Sequence, residues 1–174
     1  VRRDVGKASA VNGPSLSLAV QYAVPRRGVP ARARLERWLL AALSRSAAVT
    51  VRFVGAREGR ALNRRFREKD YATNVLTFVY DDRPRRPLAG DLVLCAPVVA
   101  SEAREQGKAL DAHYAHLVVH GALHLAGHEH KSEREATKME ALERRILARL
   151  GYADPYAREG RDAKRQPCSR GPET

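Results

Sequence analysis

From residue 15 to residue 24 apolar and polar positions alternate (Ser-Leu-Ser-Leu-Ala-Val-Gln-Tyr-Ala-Val), a period of two that predicts a strand with one face on a core. Pro25 and Gly28 break it. After Pro30, read as a first-turn proline, Leu35, Trp38, Leu39, Ala42 and Leu43 recur at helical spacing and mark the buried side of a helix. Residues 49–54 form a second strand that Gly55 ends, and residues 74–80 and 90–95 a third and a fourth. Between the second and third, residues 58–66 read as a short helix with Ala61, Leu62 and Phe66 on its apolar side. The run Asp-Asp-Arg-Pro-Arg-Arg-Pro-Leu-Ala is polar and proline-rich, hence a loop.

The second half is helical. Pro97 opens a helix that Gly107 closes, and Asp111 is a candidate N-cap for the next, whose dry side is Leu117, Val118, Leu123 and Leu125. Gly127 supplies the left-handed residue that ends it. Ser132-Glu-Arg-Glu135 has the form of a capping box; the helix it starts runs through Met139, Leu142, Ile146, Leu147 and Leu150 to Gly151. Residues 1–14 and 157–174 are polar, lack periodicity and are expected to be disordered. One domain, 15–156, remains. Four strands interleaved with helices, then three helices, indicate an α+β fold: one sheet with helices packed on it. No internal repeat is visible.

Composition changes the picture in one respect. A chain of 174 residues, 44% hydrophobic and 30% charged, has an ordinary globular balance, but a net charge of +12 favours a polyanionic partner, read here as nucleic acid. Two cysteines make no disulfide framework. Cys95 sits in an apolar run as a small buried hydrophobe and Cys168 in the tail, which fits a reducing cytoplasm. No stretch approaches the roughly 20 apolar residues of a membrane span.

The chemistry is concentrated in residues 111–130, where the histidines crowd. His120 and His124, four apart, project from one helical face about 6 Å from each other, close enough to converge on one metal ion. His116 extends the stripe, but its ends lie two turns, about 12 Å, apart and cannot share an ion. Past Gly127 the chain can fold back to bring a third imidazole. His130 is favoured for that place because its extra residues let the chain clear the helix end; His128 competes. Three neutral nitrogens with a fourth position open make a catalytic zinc site, one ion per chain, although imidazoles also suit nickel and copper. The spacing H-x-x-x-H-x-x-G-x-x-H is similar to that of the metzincin proteases, which need a glutamate directly after the first histidine. Here Gly121 stands there, so a protease would lack its base.

The string His-Gly-Ala-Leu-His-Leu-Ala-Gly-His-Glu-His resembles the HGxLHLxGYDH signature of the YbeY family, bacterial metal-dependent endoribonucleases of ribosomal RNA maturation. His128 and Glu129 replace the usual Tyr and Asp. Leu-Asn-Arg-Arg-Phe-Arg-Glu-Lys-Asp-Tyr-Ala-Thr-Asn-Val-Leu-Thr-Phe is similar to a second signature, LNxxYRxKDxPTDVLSF, with Ala72 in place of proline. By that match Arg67 falls on the family's functionally important arginine, with Lys69 and Asp70 beside it. The resemblance covers roughly residues 15–156. It implies a four-stranded mixed sheet with a groove leading to the metal. It further implies single-strand-specific cleavage that trims 16S ribosomal RNA at its 3′ end, and a role in ribosome quality control. RNA and the small ribosomal subunit with its proteins would be the partners.

Cutting a phosphodiester needs an attacking oxygen, neutralised phosphoryl charge and a proton route. A histidine-bound zinc supplies the first or second, and a guanidinium fork suits the second; Arg67 is therefore the expected phosphate clamp. Glu129, Asp70 and His128 are candidate bases. Tyr71 and Tyr80 are the best candidates for base stacking, with core or rim packing as the plainer account of each. Two rival readings stand beside the nuclease: a metallohydrolase of another substrate, and a non-catalytic ribosome-assembly factor with structural zinc.

Overall fold

Strand β2 (Ala47–Val54) turns Val49, Val51 and Phe53 to one side and Val54 to the other, and both sides are covered. The computed structural model describes residues 14–128 and 131–157, so of the two segments expected to be disordered only Pro14 and Ala157 fall within it. Around β2 stand β1 (Leu16–Tyr22), β3 (Val75–Asp81) and β4 (Leu88–Cys95), in the order β1-β2-β4-β3. The first two pairings are parallel and β3 runs antiparallel to β4, giving the expected α+β fold with a mixed four-stranded sheet. Parallel neighbours need crossovers, and α1 (Arg32–Ala42) supplies the one between β1 and β2. β2 and β4 each begin two residues earlier than their patterns predict. Ala47 is paired with both Leu16 and Leu88, so neighbouring strands supply the order that local composition does not.

α1 and α4 (Leu110–Leu125) cover one face of the sheet, and α5 (Glu133–Leu150) packs against both helices. Leu35, Trp38 and Leu39 meet Val51, Phe53 and Leu92 there, and each fully buried side chain of this size contributes about 1.5–3 kcal/mol. α2 (Ala56–Arg67) and α3 (Ala96–Glu105) complete the domain, with a small second cluster of Val54, Leu76, Val93 and Cys95 behind the sheet. Among the described residues no helix is long and apolar enough to cross a membrane.

Three expectations need correction. Pro30 precedes the N-cap Ala31 and is not in the first turn of α1; its carbonyl accepts from the Tyr22 hydroxyl. Asp111 is not an N-cap, because α4 starts at Leu110; from the first turn it accepts from Arg34 and from the Tyr152 hydroxyl. The buried side of α2 is Gly59 and Asn63, while Ala61 and Phe66 are exposed. Gly59 lies hard against Cys95, and Phe66 packs edge-on against Phe78 at 5.0 Å.

Both ends of the link between α4 and α5 follow the pattern. Gly127, at φ 87°, donates to the His124 carbonyl and His128 donates to that of Leu123, a Schellman ending. Ser132 and Glu135 form the reciprocal capping box that starts α5.

Candidate metal centre

From His113 to Leu125, α4 is buried at every position except His116, His120 and His124. The helix runs through the core and leaves one line of imidazoles partly open. The Nε2 atoms of His120 and His124 stand 3.2 Å apart. Two nitrogens bound tetrahedrally to one zinc at the usual bond length lie about 3.3 Å apart, so this pair fits two corners of such a site. His130 and Glu129 lie outside the described residues. Among the described residues no group of three histidine, cysteine, aspartate or glutamate side chains is placed to hold an ion. His128 lines a different cavity, of about 490 Å³, with residues of α1 and α5.

The site cavity, about 380 Å³, opens between α4 and the edge strand β3. His120 and His124 line it from the helix; Val75, Thr77 and Val79, at strand period, line it from β3. Arg67, the last residue of α2, lines it as well. Its place is set by the helix ending: Glu68 takes the left-handed conformation at φ 58°, and buried Asn63 donates to the Tyr71 carbonyl at 2.7 Å. The cavity thus brings Arg67 together with His120 and His124, which lie more than fifty residues further along the chain. α4 comes this close to the sheet because residue 121 is glycine. A Cβ there would lie 2.7 Å from Leu92 Cδ2 and 3.3 Å from Thr77 Oγ1. A side chain at the position a protease would need for its glutamate would have to push Leu92 and Thr77 aside.

Two of the candidate bases stand elsewhere. Asp70 receives both arms of the Arg60 guanidinium, at 2.9 and 2.7 Å, which holds its carboxyl below the usual range. His128 faces the other cavity. Tyr71 and Tyr80 are exposed, and neither lines the site; the Tyr80 hydroxyl donates to Asp91.

Behind the imidazoles lies a residue that periodicity did not single out. Glu143, on α5, is 0% exposed. Its Oε1 is 2.8 Å from His120 Nδ1, and its Oε2 is 3.0 Å from His116 Nε2 and accepts from the Tyr156 hydroxyl. Burial pushes this carboxyl up, but the hydrogen bonds from His116, His120 and Tyr156 outweigh it and bring it to about 2. Burial and the neighbouring carboxylate push the Tyr156 phenol well up. A parallel arrangement supports the other wall: Asn74, in the cavity lining, donates to Glu102, which meets His113 Nε2 at 2.8 Å. The available signal for Glu143 was a carboxylate inside the apolar stripe Met139, Leu142, Ile146 and Leu147.

The profile of the family Endoribonuclease YbeY matches residues 31–151. An Endoribonuclease YbeY of Aromatoleum aromaticum is 61% identical over 145 residues, covering 82% of this chain and 93% of that protein. One of Stenotrophomonas maltophilia is 57% identical over 153 residues, covering 83% and 95%. A solution structure of a Thermotoga maritima protein, 24% identical, aligns with TM-score 0.48 over 81% of this chain and 99% of that one. With the profile spanning most of the domain and relatives this similar over nearly their whole length, the chain belongs to the YbeY endoribonuclease family.

Proposed function

We propose that this chain is a zinc-dependent endoribonuclease for single-stranded RNA. In this reading His120, His124 and His130 hold one ion and Arg67 clamps the scissile phosphate. The observation that carries it is the pair of Nε2 atoms 3.2 Å apart in the cavity that Arg67 also lines. The relatives' name supplies the reaction class. A bound zinc would supply Lewis acidity towards the phosphoryl group or activate water. Arg67 pairs its planar fork with two phosphate oxygens and holds the group in line. With Asp70 tied to Arg60 and His128 turned away, Glu129 is the remaining candidate base.

Among the described residues the cavity wall offers imidazoles, a guanidinium and threonine hydroxyls but no exposed aromatic platform, so backbone contacts dominate and base selection is weak. Selectivity then comes from the setting: the 3′ end of 16S ribosomal RNA on the small subunit, in the cytoplasm, with ribosome quality control as a further role. The test is elemental analysis beside cleavage of a single-stranded RNA, with and without chelator, on wild type and His124→Ala. One zinc per chain, activity lost on chelation and restored by zinc, and loss of both in the variant are expected. Cleavage that survives complete removal of metal would overturn the proposal.

A further inference from the structure

We propose that Glu143 is a positioning residue that fixes which nitrogen His120 presents to the cavity, with Tyr156 locking the carboxylate in place. This rests on the reading of His120 as a metal ligand. A carboxylate only accepts, so the 2.8 Å contact between Glu143 Oε1 and His120 Nδ1 requires the proton on Nδ1. The ring's acceptor lone pair is then on Nε2, the atom 3.2 Å from His124 Nε2. His116 is consistent with the same assignment. Its Nε2 donates to Glu143 Oε2, which makes Nδ1 the acceptor, and that buried atom has no hydrogen-bond partner.

The arrangement is over-determined in a way that simple helix packing does not need. A buried carboxylate is costly unless paired, and Glu143 gathers three donors from two other segments of the chain. Tyr156 comes from the segment after Gly151, and its ring is covered in turn by the Arg144 guanidinium at 4.8 Å. An outer carboxylate that orients a ligating imidazole raises its basicity and fixes its tautomer.

Glu143→Gln keeps the side-chain shape and one acceptor but removes the charge. Zinc affinity is measured by competition with a chromophoric chelator, and the His120 tautomer by 15N NMR on the metal-free protein, with a thermal melt as the check on folding. The variant is expected to bind zinc about 10–100-fold more weakly, with His120 moving away from the Nδ1–H form. Unchanged affinity, or a fall in affinity with the tautomer unchanged, would overturn the positioning role. A wild type that binds no zinc would sink the metal reading and this inference with it. That result is distinct from the failure of Glu143 alone, in which wild type binds zinc and the variant matches it. Should Glu143→Gln not fold, Tyr156→Phe decides: a smaller loss of affinity supports the role and wild-type affinity refutes it.

Discussion

Arg67 ends α2 with its side chain exposed at the cavity, so removing it leaves no hole in the core and, among the described residues, strands no carboxylate. Arg67→Ala is therefore expected to melt like wild type and, on the proposed reading, to bind zinc as wild type does. Cleavage should fall about 10²–10³-fold, the usual cost of deleting one donor to developing charge. Loss of metal or of the fold in that variant would remove the clamp role. This residue and the pair His120 and His124 were legible because their chemistry sits in local spacing and in two signatures. Glu143 was not. A helical stripe read from sequence places carboxylates on the wet side. What reverses that here is a set of donors at His116, His120 and Tyr156, 27, 23 and 13 residues away along the chain.

At the scale of elements, the closest approach in the site is α4 on the sheet at Gly121. A methyl there gains about 1 kcal/mol of helix propensity over glycine, while forcing Leu92 and Thr77 aside costs about 1–3 kcal/mol. Gly121→Ala should thus be close to neutral or mildly destabilising. Gly121→Glu adds a buried, unpaired charge to the same clash and should lose at least about 3 kcal/mol. Denaturant midpoints for the two variants check the ranking; a glutamate as well tolerated as alanine would mean that the helix can lift from the sheet. Each described element was visible in the hydrophobic pattern or, for α3, in the Pro97 and Gly107 that bound it, and the errors lie where tertiary contact overrides that pattern. Ala47 and Leu88 become strand because they pair with each other. α2 turns Gly59 and Asn63 inward because close packing against Cys95 favours a residue without a side chain over the apolar Ala61.

For the molecule as a whole, the net charge of +12 is a statement about association, and part of it is exposed at the end of α2. Arg64, Arg65, Arg67 and Lys69 are exposed at and beyond the last turn of α2, and Arg67 lines the cavity. Each phosphate neutralised releases counterions, so log affinity for single-stranded RNA should fall with log salt by about 0.7 per contact. Not every arginine counts equally. Arg60 is equally exposed, but Asp70 already takes both arms of its guanidinium, and the pair presents no net charge to a phosphate. Arg65 lies over the Phe66 ring, which leaves its charge in place. Binding of a short unstructured RNA, titrated from low to physiological salt, should therefore lose about 0.7 from its slope in Arg65→Ala and almost nothing in the double variant Arg60→Ala/Asp70→Ala, which removes both members of the pair and leaves no bare carboxylate. Equal losses in the two variants would show that the RNA breaks the Arg60–Asp70 pair to reach the surface, and the backbone path would have to run along the outer face of α2 and not only past its end.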